Sequence, residues 1–336
     1  MSTVNDVNEV LKNLGNVNFE GRTVLVTGGA GFIGSWICDV LLKQNAKVIC
    51  LDNFSSGLLE NVAHNLENEN FKLIKHDISN PIHLEEKVDF IIHAASRASP
   101  LEFDRYPIEI IKANTLGTLV TLEIARKNDA RLLFTSTSEV YGSAEVIPTP
   151  ENYVGKVNPV GARSCYDESK RCGEALCMAY MNQYGLDVRI ARIFNTYGPR
   201  LRADSVYGRV IPRFIVQALK NEPITIFGSG KQTRSFCYIT DQVEGLLRLL
   251  WFDSCKGEVV NIGNPNEIAI LELAKLIKEI TGSKSEIKFC PPMPEDPKRR
   301  CPDITKARNL LRWEPKIGLE EGLRRTIKWF KMKLGI

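Results

Sequence analysis

The sequence predicts an α/β protein in which a doubly wound parallel sheet is followed by a smaller C-terminal lobe. From residue 21 onward, short β-branched runs alternate with stretches of helical periodicity, and after Asn195 this rhythm loosens into turns and shorter helices. Regular alternation of strands and helices is typical of a parallel sheet with helices on both faces. We expect an N-terminal extension over residues 1–20, a first domain over 21–195, and a lobe over 196–336, with part of 235–262 returning to the first domain.

The first three elements predict a βαβ unit. Residues 23–27 form a β-branched run, residues 32–43 have helical periodicity, and residues 47–51 are apolar again. Further strands are predicted at 71–74, 89–93, 131–135 and 187–192, helices at 108–127 and 166–184, and strands of the lobe at 223–227 and 284–289. Residues 7–14 predict a short helix to which the sequence assigns no role.

Composition and charge limit the partners that we expect. With 44 basic and 40 acidic side chains the net charge of the 336 residues is +4, which is too small for electrostatic binding of nucleic acid. A membrane span needs about 18 consecutive apolar residues, and the sequence contains no such run. The first twenty residues also lack the apolar block of a signal peptide. We therefore expect a cytoplasmic protein with a small-molecule partner, no nucleic acid and no membrane.

Cysteine and histidine usage favours neither disulfides nor a metal site. The nine cysteines are an odd number and include no Cys-x-x-Cys pair, so reduced thiols in a reducing compartment are the better interpretation. The four histidines all fall between His64 and His93, and we interpret them as ordinary surface or core residues. No metal is expected.

A glycine-rich turn joins the first predicted strand to the first helix. Gly28, Gly31 and Gly34 are spaced three apart, which allows a tight turn, a pyrophosphate against bare backbone and close packing of helix on strand. Asp52 ends the second strand eighteen residues after Gly34, where its carboxylate can accept hydrogen bonds from the adenosine ribose and would repel a 2′-phosphate. NAD is therefore favoured over NADP, and the alternative is a plain glycine turn. The predicted cofactor residues are Gly28, Gly31, Phe32, Ile33, Gly34, Asp52, Asn53, Asp77 and Ile78, of which the last two could equally be a loop cap.

Tyr166 and Lys170 stand at positions i and i+4 of a predicted helix, so they lie on one face a single turn apart. To act as a base near neutral pH, a tyrosine must lower its pKa from about 10 to about 7. One lysine and a positive nicotinamide ring can supply that stabilisation of the phenolate. The alternative is an interfacial tyrosine beside a solvated lysine.

Polar residues follow the predicted strand 131–135. In an open α/β sheet the carboxyl ends of the strands form the ligand crevice, so Thr137, Ser138 and Glu139 are candidate site residues. On residue type alone, Glu139 could also be a helix-capping or salt-bridged acid.

Together these features resemble the extended short-chain dehydrogenase/reductase superfamily and its Rossmann sheet. Within it, residues 22–330 resemble the UDP-glucuronate decarboxylases, or UDP-xylose synthases. The matching motifs are TSTSEVYG (135–142), CYDE (165–168), ARIFNTYGPR (191–200), QTRSFCY (232–238), NIGNP (261–265) and DPKRRCPDI (296–304).

Three local features separate the branches of this superfamily. Related 4,6-dehydratases carry Asp where this chain has Ser138, epimerases lack the acid at Glu139, and both tend to have an Arg-Pro-Gly turn where this chain has Asp296-Pro297 followed by Arg299-Arg300. The resemblance thus implies decarboxylation of UDP-glucuronate to UDP-xylose through C4 oxidation, loss of carbon dioxide and C4 re-reduction, with NAD recycled. The alternatives are a nucleotide-sugar 4,6-dehydratase or 4-epimerase with the same Tyr/Lys/NAD core, and an inactive NAD- and nucleotide-sugar-binding module.

The resemblance also implies residue roles and an assembly. The implied assembly is a homodimer joined through the helices 108–127 and 166–184. The implied catalytic residues are Thr137, Ser138, Glu139, Tyr166, Lys170 and Arg300. Tyr166 and Lys170 are also implied cofactor contacts, and the implied substrate contacts are Asn195, Phe227, Arg234 and Arg300. On residue type alone we interpret Arg200, Arg209 and Arg213 as surface charges, and the alternative is that they contact the ligand.

Two departures from the family pattern concern the sugar site. Arg97 replaces the first proline of a Ser-Pro-Ala-Ser-Pro run, which adds a charge that can alter sugar contacts. The segment 203–210 is longer and less acidic than the usual Asp-Gly-Arg turn.

Overall fold

The computed structural model describes residues 2–202, 209–293 and 297–336. Two features of the sequence analysis, residues 203–208 and Asp296, lie outside these ranges. The strands are β1 (Thr23–Thr27), β2 (Lys47–Asp52), β3 (Phe71–Lys75), β4 (Phe90–His93), β5 (Arg131–Thr137), β6 (Val188–Ile193), β7 (Thr196–Tyr197), β8 (Ile224–Phe227), β9 (Thr233–Ser235), β10 (Cys237–Tyr238), β11 (Val259–Ile262), β12 (Glu267–Ala269) and β13 (Ile287–Cys290). The α-helices are α1 (Ser2–Leu14), α2 (Phe32–Lys43), α3 (Pro107–Asn128), α4 (Ser164–Tyr184), α5 (Val210–Leu219), α6 (Ile239–Trp251), α7 (Ile270–Thr281), α8 (Thr305–Leu311) and α9 (Leu319–Leu334).

Seven of the strands in the described part of the chain form one parallel sheet in the order β3-β2-β1-β4-β5-β6-β11. The predicted fold class is therefore confirmed. Thr27 of β1 is level with Leu51 on one side and His93 on the other, so neighbouring strands end together at one edge of the sheet. The direction of strand addition reverses between β1 and β4, and ligands of doubly wound sheets bind at such a switch point.

Helices cover both faces of this sheet. Successive residues of β1 point to opposite faces, so Val24 and Val26 join one core cluster while Leu25 joins the other. Helices α3 and α4 pack beside each other on one face, and α2 and α6 pack on the other. Among the described residues, no helix combines the length and apolarity required to cross a membrane.

The N-terminal segment has a structural role that the sequence did not indicate. Helix α1 begins at Ser2, five residues before the predicted start at Val7, and packs on α2 and α6. Val10, Leu14 and Phe19 are fully buried in the main core. Tyr238 donates a hydrogen bond to Asp6 at 3.0 Å, which joins the helix to the C-terminal half of the chain.

The rest of the C-terminal half builds smaller sheets. Strand β8 pairs with β13 in parallel, and β9 pairs with β12 antiparallel. The strand predicted at 284–289 begins three residues later, at Ile287. Strand β11 instead extends the large sheet beside β6, and α6 packs against both strands.

Candidate active site

A cavity of about 600 Å³ opens where the parallel strands of the large sheet end. Its wall contains Gly28 after β1, Asp52 at the end of β2, Ala94 after β4 and Thr137 at the end of β5. The structure brings every site residue of the sequence analysis to this cavity: Gly28, Gly31, Phe32, Ile33, Gly34, Asp52, Asn53, Asp77, Ile78, Thr137, Ser138, Glu139, Tyr166, Lys170, Asn195, Phe227, Arg234 and Arg300.

The glycine turn forms a cradle that side chains would fill. Gly28 has φ +71°, and a Cβ atom on it would lie 2.7 Å from the carbonyl oxygen of Ala94. A Cβ atom on Gly34 would lie 2.2 Å from the carbonyl oxygen of Gly28. Gly31 precedes the first residue of α2, and no side chain of the described residues caps that helix end, so its first N–H groups are available to an anion. The turn therefore fits the pyrophosphate of a dinucleotide.

Two acids follow this turn along the cavity wall. The Asp52 carboxylate accepts hydrogen bonds from the Ala30 N–H at 3.0 Å and the Phe54 N–H at 2.8 Å. Burial raises the pKa of Asp52, and the two N–H groups oppose that change only partly. Asn53 donates to Asp77 at 3.1 Å. Each Asp52 oxygen has a further lone pair for a hydroxyl donor, which suits a ribose.

Tyr166 and Lys170 lie in the first turns of α4 and face the cavity. Lys170 Nζ donates to the Thr135 carbonyl at 2.7 Å and stands 4.8 Å from the ring centroid of Phe134. Burial lowers the pKa of Lys170 to about 7. The Tyr166 ring stacks on Phe103 with centroids 5.2 Å apart. The pair is thus held rigidly at the end of β5.

Glu139 connects two distant parts of the chain. It lies in a short 3-10 helix, Ser138–Tyr141, whose first turn is capped because Thr137 Oγ1 accepts from the Glu139 N–H at 3.2 Å. The Glu139 carboxylate forms ion pairs with Arg163 and with Arg300. The structure therefore shows the salt-bridged acid that residue type alone left open, and it lines the cavity in this state.

Arg300 comes from the C-terminal half and is almost fully buried. Burial lowers its pKa to about 10, so the guanidinium stays protonated at neutral pH. It also donates to the Gly142 carbonyl at 3.4 Å, just after the 3-10 helix that carries Glu139. A charged donor is thereby fixed between the two halves of the cavity.

The far end of the cavity carries the expected substrate contacts. Arg213 stacks on the Phe227 ring at 4.7 Å, and Gln232 donates to the Phe227 carbonyl at 2.7 Å. Arg234 donates to the Thr233 carbonyl at 2.8 Å, and the Asn195 carbonyl accepts from the backbone of β10 at 2.9 Å. An aromatic face and arginines therefore line one region, as a nucleoside diphosphate requires.

The interpretation of Arg200, Arg209 and Arg213 as surface charges is wrong, because all three line the cavity. Arg200 pairs with Asp39 at 2.5 Å and stacks on the Trp36 ring at 4.8 Å. Burial lowers the pKa of Arg213 to about 10. The loop after β7 folds back onto α2, which residue type cannot reveal.

Arg163 is a site residue that the sequence analysis missed. It immediately precedes α4, pairs with Glu139 and stands 5.5 Å from the ring centroid of Phe103. Its position three residues before Tyr166 is the one signal that could have drawn attention to it. In the described ranges 2–202, 209–293 and 297–336, no group of His, Cys, Asp and Glu side chains could hold a metal ion.

Comparison with known proteins agrees with this geometry. Residues 24–263 match the model of the NAD dependent epimerase/dehydratase family. UDP-glucuronic acid decarboxylase 1 of Xenopus tropicalis is 50% identical over 313 residues, which span 93% of this chain and 73% of that protein. UDP-glucuronic acid decarboxylase 2 of Arabidopsis thaliana is 49% identical over 318 residues, 94% of this chain and 69% of that protein.

Solved structures of nucleotide-sugar epimerases have the same fold as this chain. UDP-glucose 4-epimerase of Thermotoga maritima superposes with a TM-score of 0.86 at 35% identity, covering 93% of this chain and 99% of that one. UDP-glucuronic acid 4-epimerase of Bacillus cereus, solved with UDP-glucuronic acid and NAD, superposes with a TM-score of 0.84 at 30% identity and the same coverage. The chain therefore belongs to the NAD dependent epimerase/dehydratase family.

Proposed function

We propose that this chain is an enzyme that decarboxylates UDP-glucuronate to UDP-xylose, with NAD as a recycled cofactor. The observation that carries the proposal is that the Tyr166–Lys170 pair and the Glu139–Arg300 ion pair line one cavity beside the glycine turn. The first pair suits transfer of a proton at a sugar hydroxyl, and the second holds an acid and a cation for a sugar carboxylate. The identity with two UDP-glucuronic acid decarboxylases over more than nine-tenths of the chain supports this choice of reaction.

Binding divides between two proposed lobes. Residues 21–195 and part of 235–262 hold the dinucleotide, with its pyrophosphate on the glycine turn and its ribose on Asp52. The remainder of 196–336 holds the nucleotide sugar. There Phe227 flanks the uracil and Arg234 binds the pyrophosphate, because arginine can donate two parallel hydrogen bonds to such an anion.

Tyr166 starts the chemistry by accepting the proton of the C4 hydroxyl. NAD held by the glycine turn and Asp52 would supply the hydride acceptor for carbon 4 and, at the end of the cycle, the hydride donor. Thr137 shares the hydrogen bond to the sugar oxygen, and the Lys170 ammonium stabilises the phenolate. Loss of the hydroxyl proton to Tyr166 together with loss of the hydride leaves the sugar with a ketone at carbon 4.

Carbon dioxide then leaves because the carboxylate on carbon 5 is β to that ketone. The electron pair of the broken carbon–carbon bond enters the carbonyl as an enolate, which the hydroxyl groups of Tyr166 and Thr137 stabilise by hydrogen bonds. Glu139 and Ser138 serve proton transfer to carbon 5 and orient the ring. Arg163 and Arg300 hold the Glu139 carboxylate in place, and Arg300 lies at the sugar end of the site.

The experiment that tests this function uses UDP-glucuronate labelled in its carboxyl carbon. We expect labelled carbon dioxide and a product lighter by its mass, whereas a 4,6-dehydratase loses the mass of water and a 4-epimerase loses nothing. An inactive binding module would bind the substrate and leave it unchanged. Arg300→Ala and Glu139→Ala are each expected to slow release by more than ~100-fold. Arg299→Ala is the matched control, because its side chain pairs with Glu267 at the surface. Rates near the wild-type value in both site variants would contradict the proposed site.

We further propose a homodimer that works in the cytoplasm. Helix α3 exposes apolar side chains, with Ile108 58% and Leu116 44% exposed, and it packs beside α4. The nine cysteines carry free thiols, which suits a reducing compartment. Sedimentation equilibrium measures the mass of the assembly, and a monomer at micromolar concentration would contradict the dimer.

A further inference from the structure

Arg97, the residue that departs from the family pattern, makes three contacts with its own chain. Its Nη2 donates to the Ser55 carbonyl at 2.6 Å, its Nη1 pairs with Glu102, and its Cζ lies 4.0 Å from the centroid of the Tyr106 ring. Only 12% of the side chain is exposed. We call this set of contacts the Arg97 bridge. The guanidinium is thus held in one orientation.

The bridge connects two loops that flank the glycine turn. Ser55 belongs to the loop after β2, and Arg97 belongs to the loop after β4. In the sheet β1 lies between β2 and β4, so the glycine turn that follows β1 lies between these loops. Arg97 and Ser55 both line the cavity. Their hydrogen bond therefore closes a ring of protein around the space in front of the turn.

The buried carboxylate of Glu102 holds the Arg97 guanidinium in its position. Its carboxylate is 3% exposed, one oxygen pairs with Arg97, and the other has no hydrogen-bond partner in the part of the chain that the structure describes. A buried carboxylate is costly without a cation, so Arg97 compensates its charge and is oriented by it. The next residue, Phe103, stacks on Tyr166, which links the bridge to the catalytic end.

A second arginine contacts the loop after β2 from the other half of the chain. Arg202 Nη1 donates to the Ser56 carbonyl at 3.1 Å. The Leu58 N–H, at the end of the same loop, donates to the carbonyl of Ala30 in the glycine turn at 3.0 Å. Hydrogen bonds therefore join the loop after β2 to the glycine turn, to the loop after β4 and to Arg202.

We propose that the Arg97 bridge retains the dinucleotide, so that Arg97 is a positioning residue that slows cofactor release. The proposal rests on the proposed function, which places the pyrophosphate on the glycine turn and the ribose on Asp52. A dinucleotide seated there lies within the ring that the Arg97–Ser55 hydrogen bond closes. Release requires that bond to break and the loop after β2 to move away. Retention suits a reaction in which the cofactor must stay with the sugar from the first step to the last.

The test measures release of labelled NAD from the loaded enzyme. Wild-type protein and Arg97→Met are loaded with radiolabelled NAD, diluted into excess unlabelled NAD, and sampled by rapid gel filtration. Methionine keeps an unbranched stem against Tyr106 and removes the donors. Loss of a charge-assisted hydrogen bond predicts roughly 10-fold to 100-fold faster release. Arg105→Met is the matched control, because Arg105 is an exposed arginine of the same segment outside the cavity. We expect it to release NAD at the wild-type rate.

Folding is monitored by circular dichroism, because Arg97→Met leaves the buried Glu102 carboxylate without its cation. The double variant Arg97→Met with Glu102→Gln also removes that charge. If the single variant does not fold, NAD release is measured on the double variant. Release from the folded variants within twofold of the wild-type rate would overturn the role of Arg97 and leave the proposed function standing. A wild-type protein that binds no NAD would overturn both.

Discussion

Replacing Lys170 by methionine is expected to stabilise the protein without ligands while stopping turnover. Burial lowers the pKa of Lys170 from 10.5 to about 7. That difference corresponds to about 5 kcal/mol that the native state loses whenever the amine is charged. Methionine has a similar length and no charge, so it avoids this cost. It also removes the hydrogen bond to the Thr135 carbonyl, about 1 to 3 kcal/mol, which leaves a net gain of about 2 to 4 kcal/mol at pH 6.

The gain depends on pH with a definite sign. Below pH 7 the amine of Lys170 is protonated in both the native and the unfolded wild-type chain, so the full cost applies. Between pH 7 and 10.5 the unfolded chain binds a proton that the native chain does not, so the free energy of unfolding of the wild type rises with pH. The advantage of the variant therefore shrinks by about 1.4 kcal/mol for each pH unit above 7.

Urea unfolding at pH 6, 7, 8 and 9 measures this effect, and release of labelled carbon dioxide measures turnover. Lys328→Met is the matched control, because Lys328 is an exposed lysine on α9. We expect its free energy of unfolding to differ from that of the wild type by less than about 0.5 kcal/mol at every pH. A Lys170 variant less stable than the wild type at pH 6, or a difference that stays constant from pH 6 to pH 9, would refute the reasoning.

Three further substitutions test other parts of the structure. Gly34→Ala places a Cβ atom 2.2 Å from the carbonyl oxygen of Gly28, so we expect NAD affinity to fall by at least ~10-fold. Titration calorimetry measures the affinity, and an unchanged value would be inconsistent with the glycine cradle. Arg163→Gln removes one of the two cations paired with Glu139, so the rate of carbon dioxide release should fall by about 10-fold to 100-fold. A wild-type rate would show that Arg300 alone is enough to position Glu139. Leu14→Ala in the buried face of α1 should lower the free energy of unfolding by about 2 to 5 kcal/mol in urea, whereas Leu66→Ala at the exposed surface should change it little.

Most of the sheet was predictable because its strands have strong local patterns. Strand β1 and helix α2 have the predicted bounds, since a β-branched run, a glycine turn and a helical period follow one another directly. Strand β5 runs two residues further than predicted, to Thr137. The predicted strand stops before Ser136 and Thr137, but pairing with Arg192 and Ile193 of β6 continues through them. Here the neighbouring strand overrides the local preference.

Some residues of the candidate site could likewise be assigned from local sequence patterns, and others could not. Glycine spacing, the acid at the end of β2 and the i, i+4 pair on α4 are local signals, so Gly34, Asp52, Tyr166 and Lys170 could be assigned to one site before the fold was known. Their common cavity follows from the parallel order of the strands.

The contacts of Arg97, Arg163 and Arg200 could be assigned only from the tertiary structure. Arg97, Arg163 and Arg200 have no local pattern that separates a cavity residue from a solvated one. The partners of Arg97 and Arg200, at Ser55 and Asp39, lie 42 and 161 residues away along the chain. Packing of separate elements sets such contacts, because a long flexible side chain takes its position from whichever acid, carbonyl or ring the folded chain brings within reach.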